Sequence, residues 1–274
     1  EEILSDMLPV YDWLHLHHED FTGQYGKFYN SFKNAPWYIE QKINFEAEAN
    51  RLGYKKVSKQ KLDVALKIKE FLAGGGFLFA MCSATDSYDI TLASEKTDIC
   101  EYMFDGDGLS PNYQENIDYE KSIAFKNFTL IKNPNIYEFS DIDVTRGRKV
   151  TKNQDFFTLF EFSAKWDPIP TMLCQNHSQI IKGFMGQTTA FKKNLIKSDV
   201  LIMGENNSAN EAKYIHGKFG KGMWSFYGGH DPEDYQHRVG DPPTELELHP
   251  NSPGYRLILN NILFPAAKKR KEKT

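Results

Sequence analysis

Cysteine is scarce: Cys82, Cys100 and Cys174 are the only three in 274 residues. Their number and scatter exclude a disulfide scaffold and a zinc ribbon, and leave a Cys100–Cys174 bridge as the one pairing open in an oxidising compartment. Long apolar runs are lacking as well. None approaches the ~20 residues needed to span a bilayer, so no transmembrane segment is expected, and no charged-then-apolar leader is seen at the amino end. Neither sign of charge dominates, since 33 basic and 37 acidic residues give a formal charge of −4. No global field therefore draws the chain to nucleic acid or to an anionic membrane, and small molecules or other proteins are the expected partners. Internal repeats are missing too. The single low-complexity piece is the basic tail 268–274, read as solvated and disordered.

What is present is core-forming material, with 40% hydrophobic and 14% aromatic residues. That is enough for a full core, in one large α/β domain or two small ones, and residues 1–267 are read as one. The chain starts at Glu1 and reaches an apparent strand, Tyr11–His17, within a dozen residues, so an amino-terminal part is expected to precede it. Trp37–Leu52 reads as a helix with Gly53 suited to its C′ position. A second helix follows, with Ser58 as its expected N-cap and a stripe including Leu62, Ala65, Leu66, Ile68, Phe71 and Leu72, stopping at Gly74-Gly75-Gly76. Phe77-Leu-Phe-Ala-Met81 is then a continuous apolar run of strand length, as in a strand buried on both faces of a parallel sheet. The stretch 105–153 is polar and reads as loops, with a strand-like piece at Ile136–Phe139. Core character returns at Phe156–Phe162, Val200–Met203 and Gly222–Gly228, and a last helix, Gly254–Phe264, closes the domain.

Cys82 stands directly after the apolar run, flanked by Ala80 and Ala84. A nucleophile elbow needs small residues two before and two after the nucleophile, because the strand-to-helix turn presses those positions against neighbouring backbone. A thiol there meets the free N–H groups of a helix start, which favour thiolate and can hold an oxyanion, with Ser83 contributing its backbone N–H. The competing reading is a small buried core residue. Far along the chain, Gly228-Gly-His-Asp-Pro-Glu-Asp234 follows another apparent strand. It places His230 where a base for the thiol belongs, with Asp231 or Glu233 to orient the imidazole.

The stretch from Gly74 through Cys82-Ser-Ala-Thr-Asp86 to Ser87 is similar to the glycine-led strand and elbow of ThuA-like proteins, in the class I glutamine-amidotransferase-like superfamily. In that family a histidine commonly stands where this chain has Cys82. Tyr214–Asp231 resembles the family's closing strand, with its Gly-Lys-Gly lead and Gly-His-Asp end, and the helix from Pro253 to Phe264 matches in type and position. These pieces cover about half the chain. More closely still, the whole sequence resembles bacterial proteins, largely from Bacteroidota, that are often labelled asparagine synthetase B. Nothing in it supplies the amino-terminal nucleophilic cysteine or the pyrophosphate-binding Ser-Gly-Gly-type loop that such a synthetase needs. The resemblance implies an open, mostly parallel, flavodoxin-like sheet with helices on both faces, a carbohydrate or peptide ligand, and a periplasmic or otherwise exported protein. Class I glutaminases resemble Cys-x-Gly-x-Gln at the elbow and His-x-Glu downstream. Here Ala84 and Asp86 hold the elbow positions and Asp231-Pro232-Glu233 follows the histidine, so glutamine is not the expected substrate.

The first strand ends in His15-Leu-His17-His18-Glu19-Asp20. Strand period puts His15 and His17 on one face and sends His18, Glu19 and Asp20 into the next loop. With His230 these groups could hold a divalent ion, yet the spacing matches no metal motif, and neither a metal nor a cofactor is assigned. His17, His18 and Glu19 are taken as pocket residues, as are Glu205 and Asn206 after the strand at Met203. Asp141, Asp143, Arg146 and Arg148 form a charged loop suited to a sugar or a carboxylate. His237 and His249 show no partner pattern. The aromatics between Phe21 and Trp37 suit either a local core or an interface. The expected activity is cysteine-dependent hydrolysis or transfer at an amide or acyl group through Cys82, His230, Asp231 and Glu233. The alternative is a non-catalytic or carbohydrate-handling binding module, or a subunit of an exported assembly.

Overall fold

The structure, a computed structural model, describes residues 2–5, 7–160 and 178–263. Cys174, the basic tail and the end of the Phe156–Phe162 run lie outside the described residues. The strands are β1 (Trp13–His17), β2 (Phe77–Met81), β3 (Phe156–Leu159), β4 (Ile180–Lys182), β5 (Phe191–Lys192), β6 (Leu201–Asn206), β7 (Glu211–Phe219) and β8 (Gly222–Tyr227). They form one strongly curled sheet in the order β1-β2-β8-β7-β6-β3-β4, with β5 paired to β7. The helices are α1 (Tyr29–Phe32), α2 (Pro36–Arg51), α3 (Val57–Gly74), α4 (Ser83–Ala93), α5 (Tyr102–Asp105) and α6 (Pro253–Leu263).

The α/β class holds, but the sheet is not mostly parallel. β1–β2 and β2–β8 are parallel, whereas β8–β7, β7–β6, β6–β3, β3–β4 and β5–β7 are antiparallel. The reason lies in the connections. α2 and α3 carry the chain from β1 over to β2, a crossover long enough for parallel neighbours. β7 instead turns into β8 through Gly220 and Lys221 alone, with Phe219 paired to Gly222. A two-residue turn makes only an antiparallel hairpin. Gly220 has φ +59, and a Cβ there would sit 2.6 Å from the Ala73 Cα.

Strand period splits the core in two. Leu16, Leu78, Ala80, Trp224 and Phe226 face α3 and α4. Phe77, Phe79, Met81 and Tyr227 face the other way and meet Leu257 of α6. All five residues of β2 are buried; at ~1.5–3 kcal/mol for each fully buried large apolar side chain, the strand is firmly held and so is the turn at its end. α3 ends where Gly75 takes φ +125 and Gly76 N–H donates to the Phe71 carbonyl at 3.0 Å. Ser58 is not its N-cap: Lys56 takes that place without a side-chain bond, and the Ser58 hydroxyl is buried inside the first turn.

Stretch 105–153 is loop, as its composition implies, and Ile136–Phe139 forms no strand beyond a bridge at Leu130–Ser140. Its inner end is fixed by Asp89 of α4, whose carboxylate accepts N–H bonds from Ile123, Ala124 and Phe125 at 2.6, 2.9 and 2.7 Å. The early aromatics form a satellite core, with Tyr25, Tyr38 and Phe104 buried and Phe28, Tyr29, Phe32 and Trp37 packed around them.

Candidate functional site

His17, Met81 and Tyr227 are in register at the carboxyl ends of β1, β2 and β8. Ligand crevices in α/β sheets open at this end of parallel strands. The backbone just beyond is strained: His18, Cys82 and Thr188 have φ of 66°, 54° and 54°. Left-handed residues other than glycine cost about 1–2 kcal/mol each and gather at functional sites. Gly228 and Gly229 then deliver His230. A Cβ on Gly228 would lie 2.9 Å from the Thr189 carbonyl oxygen, and Gly229 has φ +96 against the Phe184 side chain.

Three of the residues named from sequence meet here. The rings of His17 and His18 are 4.0 Å apart between centroids, His18 and His230 4.5 Å, and His17 and His230 5.3 Å. One nitrogen from each lies within 4.8 Å of the others. Phe184 backs His230 at 4.1 Å. His17 and His18 are exposed and His230 half-buried, so the cluster opens to solvent. Withdrawal from bulk water and repulsion from His18 and His15 push His17 down to about 3. Desolvation followed by the other imidazoles holds His18 and His230 at about 4. All three rings are therefore neutral at pH 7, the form that ligates metals. Three imidazoles around an open side fit a zinc-type ion with a free coordination position.

His237, without a pattern in the sequence, joins them. Its ring lies 5.7 Å from that of His230, and its Nδ1 is 2.8 Å from the Asp234 carboxylate.

Cys82 forms the expected elbow, as N-cap of α4 with φ 54° and ψ −139°. Its N–H donates to the carbonyls of Tyr227 and Gly229 at 3.2 and 3.1 Å, stitching β2 to the segment that carries His230. The thiol is buried and donates to the Gln187 carbonyl at 3.2 Å. Among the described residues, no hydrogen bond links the sulphur to a histidine. Burial, reinforced by Asp86 and Asp143, pushes the thiol up to about 12 against the pull of Ser83.

Behind the elbow lies a carboxyl pair that the sequence did not announce. Asp86 is fully buried; its Oδ1 accepts from Thr188 Oγ1 at 3.0 Å, and its Oδ2 has no partner among the described residues. Asp143 accepts from Thr188 N–H at 2.7 Å and from Thr145. Burial and then Asp143 raise Asp86 well above an ordinary carboxyl, and burial raises Asp143 to about 7. Folding therefore takes up a proton at Asp86, and its contribution to stability falls as pH rises from the unfolded value near 4 through the folded one. Asp86→Asn should accordingly stabilise more at pH 8 than at pH 5 in paired urea titrations; an equal effect at both would show that the carboxyl is ionised in the fold.

The remaining candidates are held in structural contacts. Asp231 accepts from Thr244 Oγ1 at 2.6 Å, Tyr255 OH at 2.7 Å and two backbone N–H groups; these bonds outweigh burial and lower its pKa. Glu233 pairs with Lys182 and lies 3.6 Å from His249. Among the described residues, neither carboxylate bonds the His230 ring, on which Asp231 acts through its charge. Glu19 is half-buried, its carboxyl raised by burial, and its carbonyl accepts from Ser87 Oγ at 3.1 Å. Ser83 is the buried first residue of α4. Glu205 pairs with Lys193 at 2.5 Å, and Asn206 accepts from Ser208 and Ala209, both on the antiparallel side of the sheet. In the charged loop, Asp141, Asp143, Arg146 and Arg148 line one cleft, in which Arg148 bonds Asp155 and Glu211. Asp98, Cys100 and Asp105 also cluster, but the Lys56 ammonium sits there, 2.7 Å from Asp98 and 3.1 Å from Asp105. The Cys100 thiol is free and donates to the Thr22 carbonyl.

No family model and no curated protein matches the chain. Among solved structures it is similar to the cytoplasmic protein STM3548 from Salmonella typhimurium, with TM-score 0.42 and 11% identity over 94% of this chain and 72% of that one. It is likewise similar to the cytoplasmic protein STM1381 from Salmonella typhimurium LT2, with TM-score 0.37 and 13% identity over 93% and 71%.

Proposed function

We propose that the chain binds one divalent ion of the zinc class through His17, His18 and His230 and acts on a small polar substrate in the crevice above β1, β2 and β8. The observation that carries this is the convergence of three neutral imidazoles with nitrogens within 4.8 Å. Nitrogen-only donors favour Zn²⁺ and its neighbours over Mg²⁺ or Ca²⁺, which prefer oxygen. A bound ion supplies Lewis acidity, and hydrolysis is the reaction class that an open three-histidine site serves. The strained backbone at His18 supports a functional rather than a packing role. The test is calorimetric titration of the full chain with Zn²⁺ and with Mg²⁺: one Zn²⁺ per chain and no Mg²⁺ supports the proposal, and no Zn²⁺ binding ends it.

A second reading keeps Cys82 as nucleophile of an amide or acyl hydrolase or transferase, within the ThuA-like, amidotransferase-like relationship and with the exported location it implies. The elbow conformation at the start of α4 favours it. Burial and the Gln187 bond oppose it, because a thiol pushed up to about 12 carries almost no thiolate at pH 8. Iodoacetamide should therefore label Cys82 much more slowly than a free thiol at pH 8, with no change in His230→Ala. Rapid labelling lost in that variant would reinstate the catalytic pair.

A further inference from the structure

His237 is the fourth imidazole of this crevice, yet it stands outside the group whose nitrogens lie within 4.8 Å of one another. Its ring is 5.7 Å from His230 and edge-on to it. A carboxylate only accepts, so the 2.8 Å contact with Asp234 puts the proton on Nδ1. In the neutral ring Nε2 then carries a lone pair. Carboxylate–histidine pairs of this kind fix the tautomer and the ring orientation.

Resting on the metal-site reading, we propose that His237 is a specificity residue: its Nε2 accepts a hydrogen bond from the ligand in the open position beside the ion. The site thereby selects ligands that present an O–H or N–H donor there, and gains nothing from ligands that offer only acceptors. Asp234 acts through His237 by keeping Nε2 unprotonated in the neutral ring. The charged groups beside His230 are Asp231 and Asp234.

The experiment uses the full chain loaded with Co²⁺, whose visible bands report on ligand exchange, and two probes: acetohydroxamate, which carries donors, and thiocyanate, which carries none. His237→Ala should bind Co²⁺ within about 3-fold of the parent, lose roughly 10-fold in acetohydroxamate affinity, the worth of one hydrogen bond, and leave thiocyanate unchanged. Asp234→Ala should give the same selective loss at smaller size, because it frees the tautomer without removing the ring. Equal weakening of both probes, or of neither, overturns the proposal. So does a loss of Co²⁺ affinity beyond about 100-fold in His237→Ala, which would make His237 a ligand. A parent protein that takes up no Co²⁺, or His230→Ala that takes it up unchanged, instead overturns the metal-site reading beneath it.

Discussion

Replacing His230 with alanine is expected to weaken Zn²⁺ binding more than about 100-fold, and His17→Ala to do the same, while the fold survives both changes. Outer-shell partners of a metal alone are worth 10–100-fold, so removing one of three nitrogen donors costs more. His17 and His18 are exposed and His230 half-buried, so truncation opens no closed core cavity. In the parent protein, Zn²⁺ at about 100 times its Kd adds roughly 2.7 kcal/mol of stability, or about 5–10 °C in Tm for a chain of this size. Both variants should lose that increment. A Zn²⁺-dependent rise in Tm that persists in His230→Ala and His17→Ala would refute the assignment.

The pH dependence follows with a definite sign. Protons compete with metal for imidazole nitrogen, and an ordinary histidine site weakens below pH ~6.5. Here His17 lies at about 3 and His18 and His230 at about 4. Zn²⁺ affinity should therefore stay nearly flat from pH 8 to about 5 and fall below that. The metal-free chain behaves in the complementary way. Its unfolded state binds protons at these histidines near pH 6.5 while the folded state does not, so stability falls as pH drops through 6.5 towards 4. His230→Ala should flatten part of that slope in acid titrations followed by circular dichroism.

Sequence carried the local features furthest. Phe77–Met81 matches β2, since five apolar residues between glycine and elbow leave little else to be, and Ala80, Cys82 and Ala84 define the turn that follows. The two helices before it were equally legible, except that Ser58 lies inside the first turn of α3. Non-local pairing was not legible. Tyr214–Asp231 reads as one closing strand, although Gly220-Lys221 divides it into two antiparallel ones; a glycine-containing two-residue turn between apolar runs was the available signal. β4 and β5, three and two residues long, are too short to show a period. At the site, the elbow was visible but the burial of its thiol was not, because Gln187 and Asp143 reach Cys82 from segments far along the chain. The partner of His237 was not legible because Asp234 stands on an irregular loop, where i, i+3 spacing carries no meaning.

The largest loss of stability is expected from Arg148→Ala. The Arg148 side chain is 1% exposed and bonds two carboxylates, Asp155 at 2.7 Å and Glu211 at 2.8–3.0 Å, themselves 0% and 6% exposed. Removing the guanidinium leaves two buried carboxylates facing each other, a change that typically costs 3–5 kcal/mol. In urea that is a large drop in midpoint, and in heat a fall on the order of 10 °C. Arg148→Lys should lose less but still clearly, because an ammonium cannot make the planar bidentate contacts. Combining Arg148→Met with Asp155→Asn and Glu211→Gln should recover most of the loss, since the cost lies in the uncompensated charge rather than in the missing pair. A change below about 1 kcal/mol in Arg148→Ala would mean that the trio is hydrated in solution. The effect reaches the crevice through one short path. Arg148 N–H bonds the Thr145 carbonyl at 3.2 Å, Thr145 and Thr188 both bond Asp143, and Thr188 bonds Asp86 behind the elbow. Loosening this loop should therefore speed Cys82 labelling in Arg148→Ala at urea concentrations well below its unfolding midpoint, while leaving Zn²⁺ affinity, set by β1 and the end of β8, unchanged.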